Sequence, residues 1–173
     1  MPIVERGEGV YLYDEEGTRY FDASSGPITC NIGHANPKVL EAIRNQSEKV
    51  CFASHAFFEN KPNRELAKNL VDLTGKKYDQ AFFVSGGSEA IEASFKLARQ
   101  YALVSGQAKK HKIIARAPSY HGSTMGAFSA SDDIEMKENF QSLTKIAIKV
   151  PAPLSYRVPD NFDVLSYARF CLD

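Results

Sequence analysis

The sequence lacks the features that mark nucleic-acid-binding and membrane-spanning proteins. Its 21 lysine and arginine residues balance 21 aspartate and glutamate residues without forming a basic stripe, so the main attraction to nucleic acid is absent. No apolar run approaches the roughly 20 residues that a bilayer-spanning helix needs. Residues 1–6 resemble neither a signal peptide nor an arginine-rich transit peptide. We therefore expect a cytoplasmic protein that acts on small molecules, with no nucleic-acid or membrane partner. A mitochondrial location after removal of a transit peptide is the alternative.

Cysteine is also scarce. Cys30, Cys51 and Cys171 are odd in number and have no CxxC spacing, which predicts free thiols in a reducing compartment. His55 and His111 have no ligand spacing with a cluster of cysteine, aspartate or glutamate residues, which disfavours a zinc site, and no metal-binding residue is predicted. His34, which directly follows Gly33, is interpreted as a structural histidine rather than a catalytic one.

The first part of the chain has the pattern of a hairpin followed by helices. Aromatic and β-branched residues flank a turn at 15–17 that ends in glycine. Asn36 before Pro37 is typical of a helix N-cap followed by a first-turn proline. The predicted elements are hairpin strands at 9–14 and 18–22, a helix from 37 to about 50, and a helix at about 63–73 that is closed by Gly75.

From residue 81 the pattern changes to strands that alternate with helices. Ala81–Val84 is a short continuous apolar run, typical of a strand buried on both faces. The alternation favours an α/β layer with a mostly parallel sheet. The predicted elements are strands at 81–84, 112–116 and 146–150, and helices at about 89–104 and 163–172.

Two domains are predicted from this organisation. Residues 1–56 form an N-terminal segment of hairpin, loop and helix, and residues 57–173 form the first part of a larger α/β domain. The helix at 163–172 has apolar residues on one side and is followed by no closing glycine and no return strand. Because natural domains rarely stop within a core-facing helix, we expect the chain to be truncated.

The turn Ser85–Ser88 has the composition of a phosphate-binding cup. Gly86 and Gly87 remove side chains, so backbone N–H groups can approach an anion closely. Ser88 adds a hydroxyl, and the following helix contributes the positive end of its dipole. The alternative is a strand-to-helix turn in which glycine serves only the backbone shape.

A serine hydrolase is a further alternative at the same turn. Gly86–Ala90 resembles the GxSxG nucleophile elbow, with alanine in the last place. That chemistry needs a later acid and then a later histidine to orient and deprotonate Ser88. No aspartate lies between Ser88 and His121, and no histidine follows His121. The hydrolase is therefore less favoured.

A second group of candidate residues, Ser119–Thr124, follows the strand predicted at 112–116. In open α/β sheets, ligands bind outside the carboxyl ends of strands, where both this loop and the glycine turn are predicted to lie. The ring of Tyr120 beside a phosphate cup is suited to stacking on a planar heterocycle. The pairing of the two segments therefore predicts a site for a phosphorylated aromatic ligand.

These residues, with others along the chain, resemble a known family. In order and spacing they are similar to the class III aminotransferases, the ω-amino acid family of fold-type I enzymes that depend on pyridoxal 5'-phosphate (PLP). The matching segments are Gly7–Asp14, Phe21–Gly26, Asn31–His34, Phe83–Ala90, Lys96–Arg99, Ser119–Gly122, Pro151–Pro153 and Tyr156–Arg157.

The resemblance implies a fold, a cofactor and its binding residues. The fold would be the large domain of a fold-type I PLP-dependent transferase, incomplete here, preceded by the hairpin and helix segment. Tyr120 would stack on the pyridine ring, and Ser25, Gly26 and Ile28 would border the substrate. The residues implied to bind PLP are Gly86, Gly87, Ser88, Tyr120, His121 and Gly122.

The implied reaction moves an amino group between an amine or amino acid and a keto acid, in a homodimer. The family also uses a lysine bound covalently to the cofactor and an acidic residue beside the pyridine nitrogen. No lysine of this chain matches that motif, so no catalytic residue is predicted here and the chain alone is expected to be inactive. The non-enzyme alternative is a protein that binds a phosphorylated ligand or a partner subunit.

Overall fold

The computed structural model describes residues 1–75, 77–132, 138–144 and 147–172. The chain forms two compact units, Met1–Gln80 and Ala81–Asp173. The predicted domain boundary after residue 56 concerns the domains of the whole protein. That boundary stays a prediction.

An antiparallel sheet opens the first unit. Its strands are β1 (Val4–Glu8), β2 (Tyr11–Asp14) and β3 (Arg19–Phe21), in that order. The predicted hairpin is confirmed by β2 and β3, and Gly17 in its turn has φ +80°, a conformation that glycine adopts at little cost. The buried Asp14 carboxylate accepts hydrogen bonds from the Thr18 amide and the Tyr20 hydroxyl, each at 2.8 Å. One carboxylate therefore fixes both sides of the turn.

The first unit is completed by a short turn, labelled α1 (Ser25–Ile28), whose backbone is non-helical at Gly26 and Pro27, and by two helices, α2 (Pro37–Ser47) and α3 (Lys61–Leu73). Asn36 caps α2 as predicted, since its side chain accepts a hydrogen bond from the Lys38 amide at 3.1 Å. Asn60 caps α3 in the same way, so α3 begins two residues before the predicted start at 63. Gly75 follows α3 with φ +65°, which suits the expected C-terminal glycine.

The second unit has the predicted α/β alternation. Its elements are α4 (Gly87–Val104), β4 (Ile113–Ala117), α5 (Met125–Ala130), β5 (Ala147–Pro151) and α6 (Val164–Phe170), with short 3₁₀ turns at Gln141–Leu143 and Ser155–Arg157. Strands β4 and β5 pair in parallel, from Ile113 opposite Ala147 to Ala117 opposite Pro151. Residues 126–130 of α5 are buried together with Ala115 of β4, so α5 lies at the centre of this unit's core.

The strand predicted at Ala81–Val84 is wrong for this structure. The composition of these residues is typical of a β-strand, but no strand pairs with them within the described parts of the chain. A strand is held by hydrogen bonds to neighbours, and without a neighbour the apolar run stays open to solvent, with Phe82 74% exposed. Ile146, the first residue of the strand predicted at 146–150, lies outside the described residues. No helix in the described ranges is long and apolar enough to span a membrane.

Candidate functional site

The amino end of α4 and the loop at 119–124 meet in the second unit. The backbone N–H of Ser123 donates a hydrogen bond to Ser88 Oγ at 3.0 Å. Gly122 lies directly against Ser88, because a Cβ on Gly122 would lie 2.9 Å from both Cα and Cβ of Ser88. Gly122 also has φ +129°, outside the range that other residues adopt easily. The two segments that the sequence paired as a site are therefore in contact.

The amino end of α4 is open for an anion. Gly86, the N-cap, has extended backbone and offers no side chain, and no other side chain caps the helix within the described residues. A Cβ on Gly87 would meet nothing within 4 Å. The unpaired N–H groups of the first turn of α4 carry the positive end of the helix dipole, which the Glu89 carboxylate in the same turn partly offsets. This end has the donors and the space that a phosphate group requires.

Glu92 holds the far end of the loop. Its Oε1 accepts hydrogen bonds from the Thr124 hydroxyl at 2.8 Å and from the amides of Gly126 at 2.9 Å and Ala127 at 3.3 Å. The hydrogen bond from Thr124, then those from the two amides, and the charge of Lys96 lower the pKa of Glu92, while burial opposes them. The carboxylate thus caps α5 and joins it to α4.

The sequence analysis did not identify the contact between Glu92 and α5. The spacing of Ser88 and Glu92 was the available signal, because residues four apart lie on one face of a helix. Both side chains bond to the same stretch, Ser123–Ala127. A Cβ on Gly126 would lie 2.7 Å from Glu92 Cδ, so the close approach also depends on glycine there.

Ser131 holds the other side of the loop. Its hydroxyl oxygen accepts a hydrogen bond from the His121 amide at 2.8 Å, and the Asp132 amide donates to the Ser119 carbonyl at 2.7 Å. The backbone of the loop is therefore fixed on both sides. The ring of Tyr120 is 73% exposed and contributes little to this packing, which leaves its faces free for a ligand.

The predicted substrate residues belong to the first unit, in α1. Ser25, Gly26 and Ile28 all have left-handed backbone, with φ of +56°, +62° and +60°. The Ser25 amide donates to Asp22 Oδ1 at 2.9 Å, which fixes the start of the turn. Left-handed conformations of residues other than glycine cost on the order of 1–3 kcal/mol each and are concentrated at functional sites. The side chain of Ile28 is 76% exposed.

A family match decides what kind of protein this is. The sequence profile of the family described as Aminotransferase class-III matches residues 1–168. The chain belongs to this family. One relative of this class-III aminotransferase chain is YodT of Bacillus subtilis, described as an uncharacterized aminotransferase. The two are 39% identical over 157 residues, which cover 91% of this chain and 35% of YodT.

Solved structures confirm the predicted fold class. An (S)-enantioselective omega-transaminase from Thermomicrobium roseum superposes with a TM-score of 0.88 and 35% identity, over 98% of this aminotransferase chain and 38% of its own. An amine transaminase from an uncultivated Pseudomonas species, in a PLP-bound form, gives a TM-score of 0.89 and 28% identity, over 99% of this chain and 39% of its own. The chain has the fold of the fold-type I transaminases, and it spans little more than a third of the length of these relatives.

Proposed function

We propose that this chain supplies the phosphate-binding and ring-stacking parts of a PLP-dependent aminotransferase. The whole protein would move an amino group between an amine or amino acid and a keto acid, as a cytoplasmic homodimer. The observation that carries the proposal is the contact between Ser123 N–H and Ser88 Oγ at 3.0 Å. It joins a phosphate cup to a loop that bears an exposed aromatic ring, on a chain of the aminotransferase family.

The hydroxyl of Ser88 is suited to hold phosphate. A hydroxyl has one hydrogen to donate and two lone pairs to accept with. Because the Ser123 N–H occupies a lone pair, the hydrogen of Ser88 is free to point toward an anion at the end of α4. We assign phosphate binding to this hydroxyl and to the backbone N–H groups of Gly87 and Ser88, with Gly86 leaving room for the approach.

The loop would place the ring of the cofactor. Tyr120 stacks on the pyridine face, with His121 beside it, and Gly122 allows the loop to lie against Ser88. Bound PLP supplies an electron sink that stabilises negative charge on the substrate carbon. The residues of this chain bind and orient; no lysine among them is assigned the covalent role. Ser25, Gly26 and Ile28 are proposed to border the substrate.

The structure also bears on the two alternatives. Ser88 Oγ accepts a hydrogen bond from a backbone amide, and no imidazole bonds to it in the part of the chain that the structure describes, which disfavours a nucleophilic serine. A fluorophosphonate probe should therefore leave Ser88 unlabelled in folded protein. A non-catalytic protein that binds a phosphorylated ligand shares the same cup, and only a test of group transfer distinguishes it from an aminotransferase.

That test uses the longest open reading frame that contains this sequence, expressed with PLP. Amino transfer from a panel of amines and amino acids to pyruvate and 2-oxoglutarate is followed by product analysis, and cofactor binding is followed by visible absorbance. We expect bound cofactor and transfer for at least one donor. Cofactor binding without transfer would favour the non-catalytic alternative, and the absence of both would contradict the proposal.

A further inference from the structure

A separate cluster in the first unit joins Asp22, His34 and Cys30. His34 Nε2 lies 2.9 Å from Asp22 Oδ2, and His34 Nδ1 lies 3.4 Å from Cys30 Sγ. The side chains of His34 and Asp22 are 24% and 11% exposed, so the pair is largely removed from water. Cys30 is half-buried. The sequence indicated an ordinary free thiol and a structural histidine, and it gave no sign of their contact.

The imidazole of His34 is fixed in place. The backbone of His34 pairs with that of Gly9 through two hydrogen bonds, of 3.1 Å and 2.7 Å. A Cβ on Gly7 would lie 2.7 Å from Cβ and Cγ of His34, so β1 packs tightly against the ring. Asp22 Oδ1 accepts from the Ser25 amide, which leaves Oδ2 for His34. The imidazole and its Asp22 partner are therefore both held in place.

The position of the imidazole hydrogen follows from these contacts. The hydrogen bond from His34, followed by that from the Ser25 amide, lowers the pKa of Asp22, with burial opposing. Asp22 is thus ionised at neutral pH and can only accept, so Nε2 of His34 carries the hydrogen. In the neutral ring, Nδ1 then has a free lone pair, and it faces the thiol of Cys30. The thiol can donate its hydrogen to this nitrogen.

We propose that Cys30 is a modification site, a thiol activated by His34 and Asp22 that reacts with soft electrophiles, with hydrogen peroxide as the oxidant. His34 Nδ1 accepts the thiol proton, and the sulfur attacks one peroxide oxygen. An S–O bond forms as the O–O bond breaks, and the leaving hydroxide takes the proton from His34 to become water. Sulfur loses two electrons, peroxide gains them, and the product is a sulfenic acid. The proposed reaction of Cys30 does not rest on the proposed aminotransferase function.

Cys51 provides an internal control. It is exposed, and its Sγ contacts the Ser47 carbonyl at 3.4 Å with no imidazole bonded to it among the described residues. Accessibility alone predicts that Cys51 reacts faster than the half-buried Cys30. Activation by His34 predicts the reverse, because His34 Nδ1 lies where it can take the thiol proton as the sulfur attacks.

The experiment measures alkylation by iodoacetamide of Cys30 and Cys51 in the same sample, by peptide mass spectrometry, in native buffer and in urea. We expect the ratio of the Cys30 rate to the Cys51 rate to be about tenfold higher in native buffer than in urea. Peroxide followed by dimedone should trap sulfenic acid at Cys30 before Cys51. A native ratio no greater than the ratio in urea, or equal trapping at both cysteines, would overturn the proposal.

Asp22→Asn tests the role of the carboxylate with little change of shape. The amide can donate to Nε2, which moves the ring hydrogen to Nδ1 and leaves no acceptor for the thiol. We expect the Cys30 rate to fall about tenfold, while Asp14→Asn, at a carboxylate that contacts no imidazole in the described ranges, leaves it unchanged. An unchanged Cys30 rate in folded Asp22→Asn would also overturn the proposal. If that variant does not fold, the comparison of native and urea-treated wild type still decides.

Discussion

Gly122 lies so close to Ser88 that no larger residue fits between the loop and the amino end of α4. A Cβ there would lie 2.9 Å from the Cα and Cβ of Ser88, well inside van der Waals contact, and the backbone φ is +129°. The Ser123 amide then reaches Ser88 Oγ at 3.0 Å. The loop and the helix therefore form one unit, in which the proposed ring-stacking residue and the proposed phosphate donors hold fixed positions.

Gly122→Ala should separate the loop from α4. The added methyl group meets Ser88, and the backbone conformation itself costs on the order of 1–3 kcal/mol for alanine. We expect a lower free energy of unfolding of the chain, measured in urea, and weaker PLP binding by the whole protein. Gly106→Ala is the matched control, since Gly106 also has left-handed backbone, with φ +72°, but its Cβ would meet nothing within 4 Å. Equal PLP affinity in the two variants would contradict the contact's proposed role.

PLP binding should depend on the hydroxyl of Ser88 but not on the hydroxyl of Ser123. Ser88→Ala removes both the acceptor for the Ser123 amide and the proposed donor to phosphate, so PLP affinity of the whole protein should fall about tenfold, as expected for a hydrogen bond to a charged group. Ser123→Ala keeps the backbone N–H that makes the contact, so its affinity should match wild type. Fluorescence titration with PLP measures both. A loss of PLP affinity of similar size in the two variants would show that the hydroxyl of Ser88 has no specific role in binding the phosphate.

Glu92 should stabilise the second unit through its charge as well as its shape. In Glu92→Gln one oxygen can still accept from Thr124 and Gly126, but those hydrogen bonds lose the carboxylate charge, which costs about 1 kcal/mol. Glu41→Gln, at an exposed position on α2, should leave the stability unchanged. Urea unfolding at neutral pH compares them. Glu92→Gln with wild-type stability would mean that the charge does not hold α5 to α4.

Local signals predicted much of this fold, and contacts between distant residues account for the rest. Asn36 and Gly75 mark helix ends through their own backbone and side-chain chemistry, and both are where the sequence placed them. The prediction of a strand at Ala81–Val84 was wrong because an apolar run does not by itself supply a neighbouring strand to pair with. Strand β1, with the sequence VERGE, has no apolar alternation and is recognisable only beside β2.

In the candidate site, too, local sequence signals predicted some features, and contacts between distant residues account for the others. The glycine turn and the Tyr120 loop were paired from the sequence because each was expected to follow a parallel strand, and the ends of parallel strands share one edge of a sheet. The pairing is correct, although within the described residues only the loop follows a strand, β4. Glu92 could not be placed, because it bonds to residues 32 to 35 positions away in the chain. The Cys30–His34 contact was missed for a related reason. It depends on the backbone pairing of His34 with Gly9, which no local pattern indicates.

Acid should weaken the second unit through protonation of Glu92. Its pKa in the folded chain lies below the ordinary value of 4.5, chiefly because of the hydrogen bond from Thr124. A group with a lowered folded pKa contributes stability that is complete above the unfolded pKa and is lost as the pH falls through the folded pKa. The contribution of Glu92 is therefore present at neutral pH and declines below about pH 4.5.

Glu92→Gln isolates this effect, since glutamine does not titrate. Asp14 and Asp22 also have lowered pKa values, through hydrogen bonds from Tyr20 and His34, and they titrate alike in wild type and variant. The difference in unfolding free energy between the two proteins should be constant from neutral pH to about pH 5, and it should then shrink toward zero as the pH falls further. Urea unfolding across this range measures it. A difference that keeps its full size in acid would show that the Glu92 carboxylate contributes nothing that protonation removes.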